Sequence, residues 1–138
     1  MPIDGVLETC LYADTLDAAE QFYAGVLGLT VVAREAGRHV FLRCGPGMLL
    51  VFDPARTATA PGEVSGTPVP AHGARGAGHV CFRIGAAELG AWRERLTRAG
   101  VAIEAEIAWP RGGSSLYVRD PAGNSVELAP ASIWSIAD

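Results

Sequence analysis

Two stretches of the chain repeat one pattern of apolar and polar positions. Near the start, Leu7, Thr9, Leu11 and Ala13 alternate with Glu8, Cys10 and Tyr12; further on, Val80, Phe82 and Ile84 alternate with His79, Cys81 and Arg83. A period of two is that of a strand with one face against a core. A helical pattern follows each strand. Thr15 or Asp14 can cap the first helix, where Leu16, Ala19, Phe22, Tyr23, Val26 and Leu27 recur near helical spacing and Gly28 ends the run. Ala86 to Ala99 repeats this plan, with Leu89, Trp92 and Leu96 as the apolar stripe, Arg93, Glu94, Arg95 and Arg98 on the wet side, and Gly100 past the end.

Strand-like runs come after each helix: Val31 to Arg34, His39 to Arg43 and Met48 to Phe52 in the first half, then Ala102 to Ile107, Ser115 to Arg119 and Ser125 to Ala129 in the second. The pattern predicts β-α-β-β-β twice, over about residues 5–54 and 78–130. The terminal glycines, Gly28 and Gly100, are 72 positions apart, and the opening strands, compared at Glu8 and His79, are 71 apart. Between the halves, residues 55–77 are rich in Pro, Gly, Ala and Thr and read as a linker that contains His72.

Length and composition narrow the possibilities. The 138 residues, 49% hydrophobic and 19% charged, suit one domain with a real core. Neither half alone is large enough to enclose a core and a cleft. The net charge of -4 and the scatter of eleven arginines argue against nucleic acid or an anionic membrane as partner. The sequence shows no signal peptide and no run of about 20 apolar residues, so a cytoplasmic location is expected. Cys10, Cys44 and Cys81 are odd in number and widely spaced, which predicts free thiols.

The candidate chemistry sits on the strand faces turned away from the helices. In the second half that face carries His79, Arg83, Ser125 and Glu127; in the first it carries Glu8, Cys10 and Tyr12, with Leu49 and Val51 read onto the same face. Ionisable groups gathered on a partly covered sheet face need pairing or a cation, since unpaired burial costs several kcal/mol, of order 2 or more, and a divalent metal is the simplest answer. Each candidate has a plainer reading: a solvated Glu8, a surface His72, a structural His39, packed Cys10 and Cys81 side chains, and a surface ion pair for Arg83. Arg111 to Ser115 suggests a phosphate loop, but lacks the Lys-Ser/Thr end and the following helix. A hairpin beside Trp109 fits it better.

The run Glu8 to Tyr23 with Gly25, Leu27 and Gly28 resembles the opening of a vicinal oxygen chelate module, of the superfamily of glyoxalase I, extradiol dioxygenases and bleomycin resistance proteins. Gly78-His79-Val80, the turn Arg119 to Asn124, and Val126-Glu127-Leu128 repeat the resemblance, which covers all but the linker and the last residues. It implies an α+β fold of two tandem βαβββ modules whose sheets curl around a shared cleft. It also implies a metal bound by the first and last strands, placing Glu8, His79 and Glu127 as ligands and Val51 where the family often has Glu.

Two carboxylates and one imidazole would suit Fe, Mn, Zn or Ni. The reaction implied is lyase, isomerase or ring-cleaving dioxygenase chemistry on a small oxygen-chelating substrate. Glu127 or Glu8 would double as base, with Cys10, Tyr12, Val51, Cys81 and Arg83 against the substrate. The alternative is a metal-free binding protein of the bleomycin-resistance type that sequesters a drug or natural product; an apolar Val51 favours it. The family further suggests a homodimer.

Overall fold

In a computed structural model that describes residues 1–60 and 62–136, the chain falls into two compact units, Met1–Gly76 and Ala77–Asp138. The first holds β1 (Glu8–Tyr12), α1 (Leu16–Glu20), β2 (Thr30–Glu35), β3 (His39–Cys44) and β4 (Gly47–Phe52). A short helix α2 (Pro54–Thr59) and a small hairpin, β5 (Glu63–Val64) and β6 (Thr67–Pro68), complete it. The second holds β7 (His79–Arg83), α3 (Leu89–Arg98), β8 (Ile103–Ala108), β9 (Ser114–Arg119) and β10 (Ser125–Ala129). A 3-10 turn, Ala131–Trp134, follows. Both predicted βαβββ orders are present, and the fold is α+β.

Each unit builds a four-stranded sheet in the same order, β1-β4-β3-β2 and β7-β10-β9-β8. In both, the first strand pairs parallel to the last and the other pairs are antiparallel. One face of the first sheet packs Leu11, Val40, Leu42, Leu49 and Val51 with Ala19, Phe22, Tyr23 and Leu27 from the helical segment, all of them buried. The second sheet does the same with Leu116, Val118, Val126 and Leu128 around Leu96. Fully burying side chains of this size stabilises by about 1.5–3 kcal/mol each, which is why period-2 strands and 3.6-period helices were readable as a pattern.

The details depart from the pattern in several places. After Glu20 the first helix widens into a π turn over Gln21–Val26, in which Leu27 N–H donates to Phe22 O at 3.0 Å. Gly28 (φ +84°) and Gly100 (φ +73°) end the two helices in the left-handed region, where a Cβ costs energy. Thr15 stands at the N-cap position but its side chain makes no cap bond. Leu7, expected on the buried face, lies before β1 and is exposed.

The stretch expected as a linker, residues 55–77, carries most of α2 and the β5–β6 hairpin. Asp53 accepts a hydrogen bond from Ala55 N–H at 2.9 Å and Pro54 starts the turn, a capped helix start. Thr57 of α2 is buried, and its carbonyl accepts from His72 N–H at 3.3 Å. Among the described residues no helix is long and apolar enough to cross a membrane.

Candidate functional site

The register of the second sheet sets its open face. His79 pairs with Ser125, which pairs with Arg119; Cys81 pairs with Glu127, which pairs with Tyr117. Directly paired residues share a face, so His79, Cys81, Arg83, Glu127, Tyr117 and Ser115 all lie opposite the helix. Glu127 is the buried ionisable member, 5% exposed, beside a fully buried Ser115, and its surroundings account for that.

Glu127 Oε1 accepts the Ser115 hydroxyl at 2.5 Å, and Ser115 Oγ in turn accepts the Trp109 indole N–H at 2.7 Å. Tyr117 and Cys81 flank the same carboxylate as its cross-strand neighbours. Its other oxygen, Oε2, lies 3.5 Å from His79 Nε2. Desolvation, followed by the charge and hydrogen bond of Glu127, pushes the Cys81 thiol up to about 12. Desolvation and the same carboxylate push the Tyr117 phenol up to about 12 as well. Both groups therefore stay protonated at neutral pH.

His79 is oriented at its other nitrogen. Nδ1 lies 3.1 Å from the Ser125 carbonyl oxygen, which can only accept, so Nδ1 carries a proton and Nε2 is left to face the carboxylate. In this arrangement Nε2 and the carboxylate oxygen can hold either a proton or a cation between them. Two metal bonds of about 2.1 Å at a tetrahedral angle put their donor atoms about 3.4 Å apart, close to the 3.5 Å found here. A histidine whose second nitrogen donates to a backbone carbonyl is also the usual arrangement of a metal-bound imidazole.

These two residues suit a divalent ion, although among the described residues no three His, Cys, Asp or Glu side chains are grouped as a complete metal site. A cavity of about 530 Å³ opens over the pair, with Trp109, Arg111 and Tyr117 on one part of its wall and Ile133 and Trp134 on another.

The first sheet carries a different set. Glu8 pairs with Met48, Cys10 with Leu50 and Tyr12 with Phe52, and β3 adds Arg43, Phe41 and His39 opposite them. Glu8 and Cys10 are exposed. Tyr12 Oη and His72 Nδ1 are hydrogen-bonded at 2.8 Å, and His72 lies edge-on to Phe52 with ring centres 4.7 Å apart. His72 is thus tied into the packing of its own unit. His39 stacks on Phe41 at 4.0 Å.

Val51 requires a correction. It pairs with Leu11 and is fully buried on the helix side, so it neither shares the face of Glu8 nor matches Glu127. The residue equivalent to Glu127 is Leu50, and Leu49 also belongs to the buried face. Arg83 remains exposed on the face expected for it. Ser115, Tyr117, Trp109 and Trp134 were not singled out as site residues; the alternation of Ser115 and Tyr117 was visible, but only the strand register shows that they border Glu127.

The sequence model of the Glyoxalase/Bleomycin resistance protein/Dioxygenase superfamily matches residues 5–128. Among solved structures, the lactoylglutathione lyase of Agrobacterium tumefaciens is 44% identical, with a TM-score of 0.91 over 99% of this chain and 100% of that one. A glyoxalase/bleomycin resistance protein/dioxygenase from Nocardioides is 21% identical, with a TM-score of 0.70 over 94% of this chain and 85% of its own. The fosfomycin resistance protein FosX of Mesorhizobium loti, also 21% identical, has a TM-score of 0.64 over 94% of each chain. These last two show a shared fold. No curated protein matches the chain. Two copies of the βαβββ unit, the match over residues 5–128 and the likeness to the Agrobacterium structure agree: the chain belongs to the Glyoxalase/Bleomycin resistance protein/Dioxygenase superfamily.

Proposed function

We propose that the chain is a metal-dependent enzyme acting on a small substrate that presents two neighbouring oxygens, with lyase or isomerase chemistry ahead of oxygen insertion. The reading rests chiefly on one observation: His79 Nε2 and a buried Glu127 Oε2 aimed at each other across 3.5 Å, with His79 Nδ1 held by the Ser125 carbonyl. The 44% identity to a lactoylglutathione lyase supports the lyase class. His79 and Glu127 are two of the proposed ligands. Glu8 is the third, because it holds in β1 the register position that His79 holds in β7.

A bound divalent ion would supply Lewis acidity, stabilising negative charge that develops on a substrate oxygen. Around it, Glu127 or Glu8 would take the proton from the adjacent carbon. Tyr117, kept protonated, would donate a hydrogen bond to an oxygen at the site. Trp109, Ile133 and Trp134 would exclude water from the substrate's apolar part, and Arg111, exposed at the rim, would attract an anion. Cys10, Tyr12, Cys81 and Arg83 complete the proposed substrate contacts, and a homodimer is part of the proposal, read by light scattering.

Thermal-shift screening of oxygen-chelating ligands, lactoylglutathione among them, with and without Zn²⁺ or Ni²⁺, tests the reading. Stabilisation that appears only with metal is expected. Equal stabilisation without metal would favour a sequestering protein, the second reading, for which the apolar Leu50 is the specific argument.

A further inference from the structure

The hydrogen bonds around Glu127 run in one direction. An indole N–H can only donate, so Trp109 Nε1 spends its proton on Ser115 Oγ at 2.7 Å. Ser115 has one hydroxyl proton, and it goes to Glu127 Oε1 at 2.5 Å. Ser115 is fully buried and Glu127 nearly so, and in that environment a misplaced donor is costly. Trp109 itself is held at the start of the β8–β9 turn, where its N–H donates to Gly113 O at 3.0 Å and its carbonyl accepts from Gly112 N–H at 2.9 Å. The indole also lines the cavity. One side chain is therefore both wall of the cavity and first member of a chain ending on the carboxylate.

We infer that Trp109 and Ser115 are positioning residues that hold Glu127 by Oε1 so that Oε2 alone is presented toward His79 and a bound cation. The inference rests on the metal-binding reading above for the cation, and on the hydrogen bonds alone for the relay. It assigns a role to two residues on β9 and the turn before it that touch neither the ion nor the reacting atoms. It also links occupancy of the cavity wall to the orientation of the carboxylate, because an indole moved by a ligand would loosen Ser115.

The relay is read without metal from the indole N–H resonances of the three tryptophans in ¹⁵N-labelled protein. Glu127→Gln is expected to move the Trp109 signal, and the same substitution in a Ser115→Ala background to leave it in place. Equal movement in both backgrounds, or none in either, overturns the relay. Zn²⁺ affinity, measured by competition with a chromogenic chelator, is expected to fall about 10- to 100-fold in Ser115→Ala and less in Trp109→Phe. The Co²⁺ visible spectrum should change in both.

An intact, folded Ser115→Ala protein with the parent's Zn²⁺ affinity and Co²⁺ spectrum overturns the positioning role. If the parent binds no Zn²⁺ at all, the functional reading fails, and the indole coupling alone decides the relay.

Discussion

Leu50 and Glu127 occupy the same place in two sheets of the same design: Leu50 pairs with Cys10 and Phe41, Glu127 with Cys81 and Tyr117. The chain thus contains, within itself, a template for the second sheet without its acid. Replacing a buried hydrogen-bonded carboxylate by a well-packed apolar group is often neutral or stabilising. Ser115→Ala/Tyr117→Phe/Glu127→Leu, which copies Phe41 and Leu50 and removes the buried Ser115 donor together with its acceptor, is expected to hold the thermal midpoint to within about 1 kcal/mol, while abolishing Zn²⁺ binding. Differential scanning calorimetry with and without Zn²⁺ checks both; a midpoint several degrees below the parent would show that Glu127 is needed for folding rather than for a ligand.

Cys81 is exposed yet has its thiol pushed up to about 12, first by desolvation and then by Glu127. Its folded-state value lies above the ordinary 9.0, so the proton is held more tightly in the folded protein, and that contribution to stability is present below pH 9 and lost as pH rises toward 12. Alkylation of Cys81 in the metal-free protein is expected to be slow at pH 8–9 and faster in Glu127→Gln, since part of the upward shift disappears. Peptide mass spectrometry, which separates Cys81 from Cys10 and Cys44, reads the rates. No acceleration would mean that burial alone protects the thiol.

His39 has a buried Nδ1 without a hydrogen-bond partner, 3.9 Å from the Glu35 carboxylate, and its ring is stacked on Phe41 and edge-on to Phe52. Desolvation lowers its pKa below 6.5, with Glu35 working against that and Arg38 with it. A lowered value means that stability from the neutral ring is present above pH 6.5 and is lost as pH falls through the folded-state value. His39→Phe removes the unpartnered nitrogen and is expected to stabilise by about 1 kcal/mol, with a shallower loss of stability between pH 6.5 and 5. Thermal midpoints measured across that range test it. An unchanged acid limb would show that His39 does not contribute to it.

Gly113 sits at φ +81°, and a Cβ there would meet Ile133 and Pro130 at 3.0 Å and Ser132 at 3.1 Å. The β8–β9 turn and the segment carrying Trp134 are in contact at this glycine. Gly113→Ala is expected to cost about 1–2 kcal/mol from the left-handed backbone alone and to push Ile133 and Trp134 away from Trp109. Reduced quenching of tryptophan fluorescence by an apolar ligand, measured beside the melting curve, checks the displacement. A variant with parental stability and ligand response would show that the contact yields freely.

What the sequence revealed followed from how local each signal is. The two strand-helix starts were legible because alternation on β1 and β7 and the closing Gly28 and Gly100 depend on neighbours in the chain. The face of β4 was not, because Met48 to Phe52 is apolar throughout and carries no period of its own; its orientation comes from pairing with β1 and β3. That is how Val51 took the place that belongs to Leu50. The α2 start was readable in Asp53-Pro54, a cap residue followed by proline, but the Pro- and Gly-rich composition around it suggested a linker. On β10 the alternation put Glu127 on the face of His79, whereas the hydrogen bonds from Trp109 to Ser115 and from Ser115 to Glu127 join three segments and depend on packing alone.

Metal content decides the central claim most directly. The protein purified without chelator and dialysed against Zn²⁺ should carry about one ion per site by inductively coupled plasma mass spectrometry, and His79→Ala and Glu127→Ala, each shown folded by circular dichroism, should carry almost none. Variants holding as much metal as the parent would contradict the proposed coordination by His79 and Glu127.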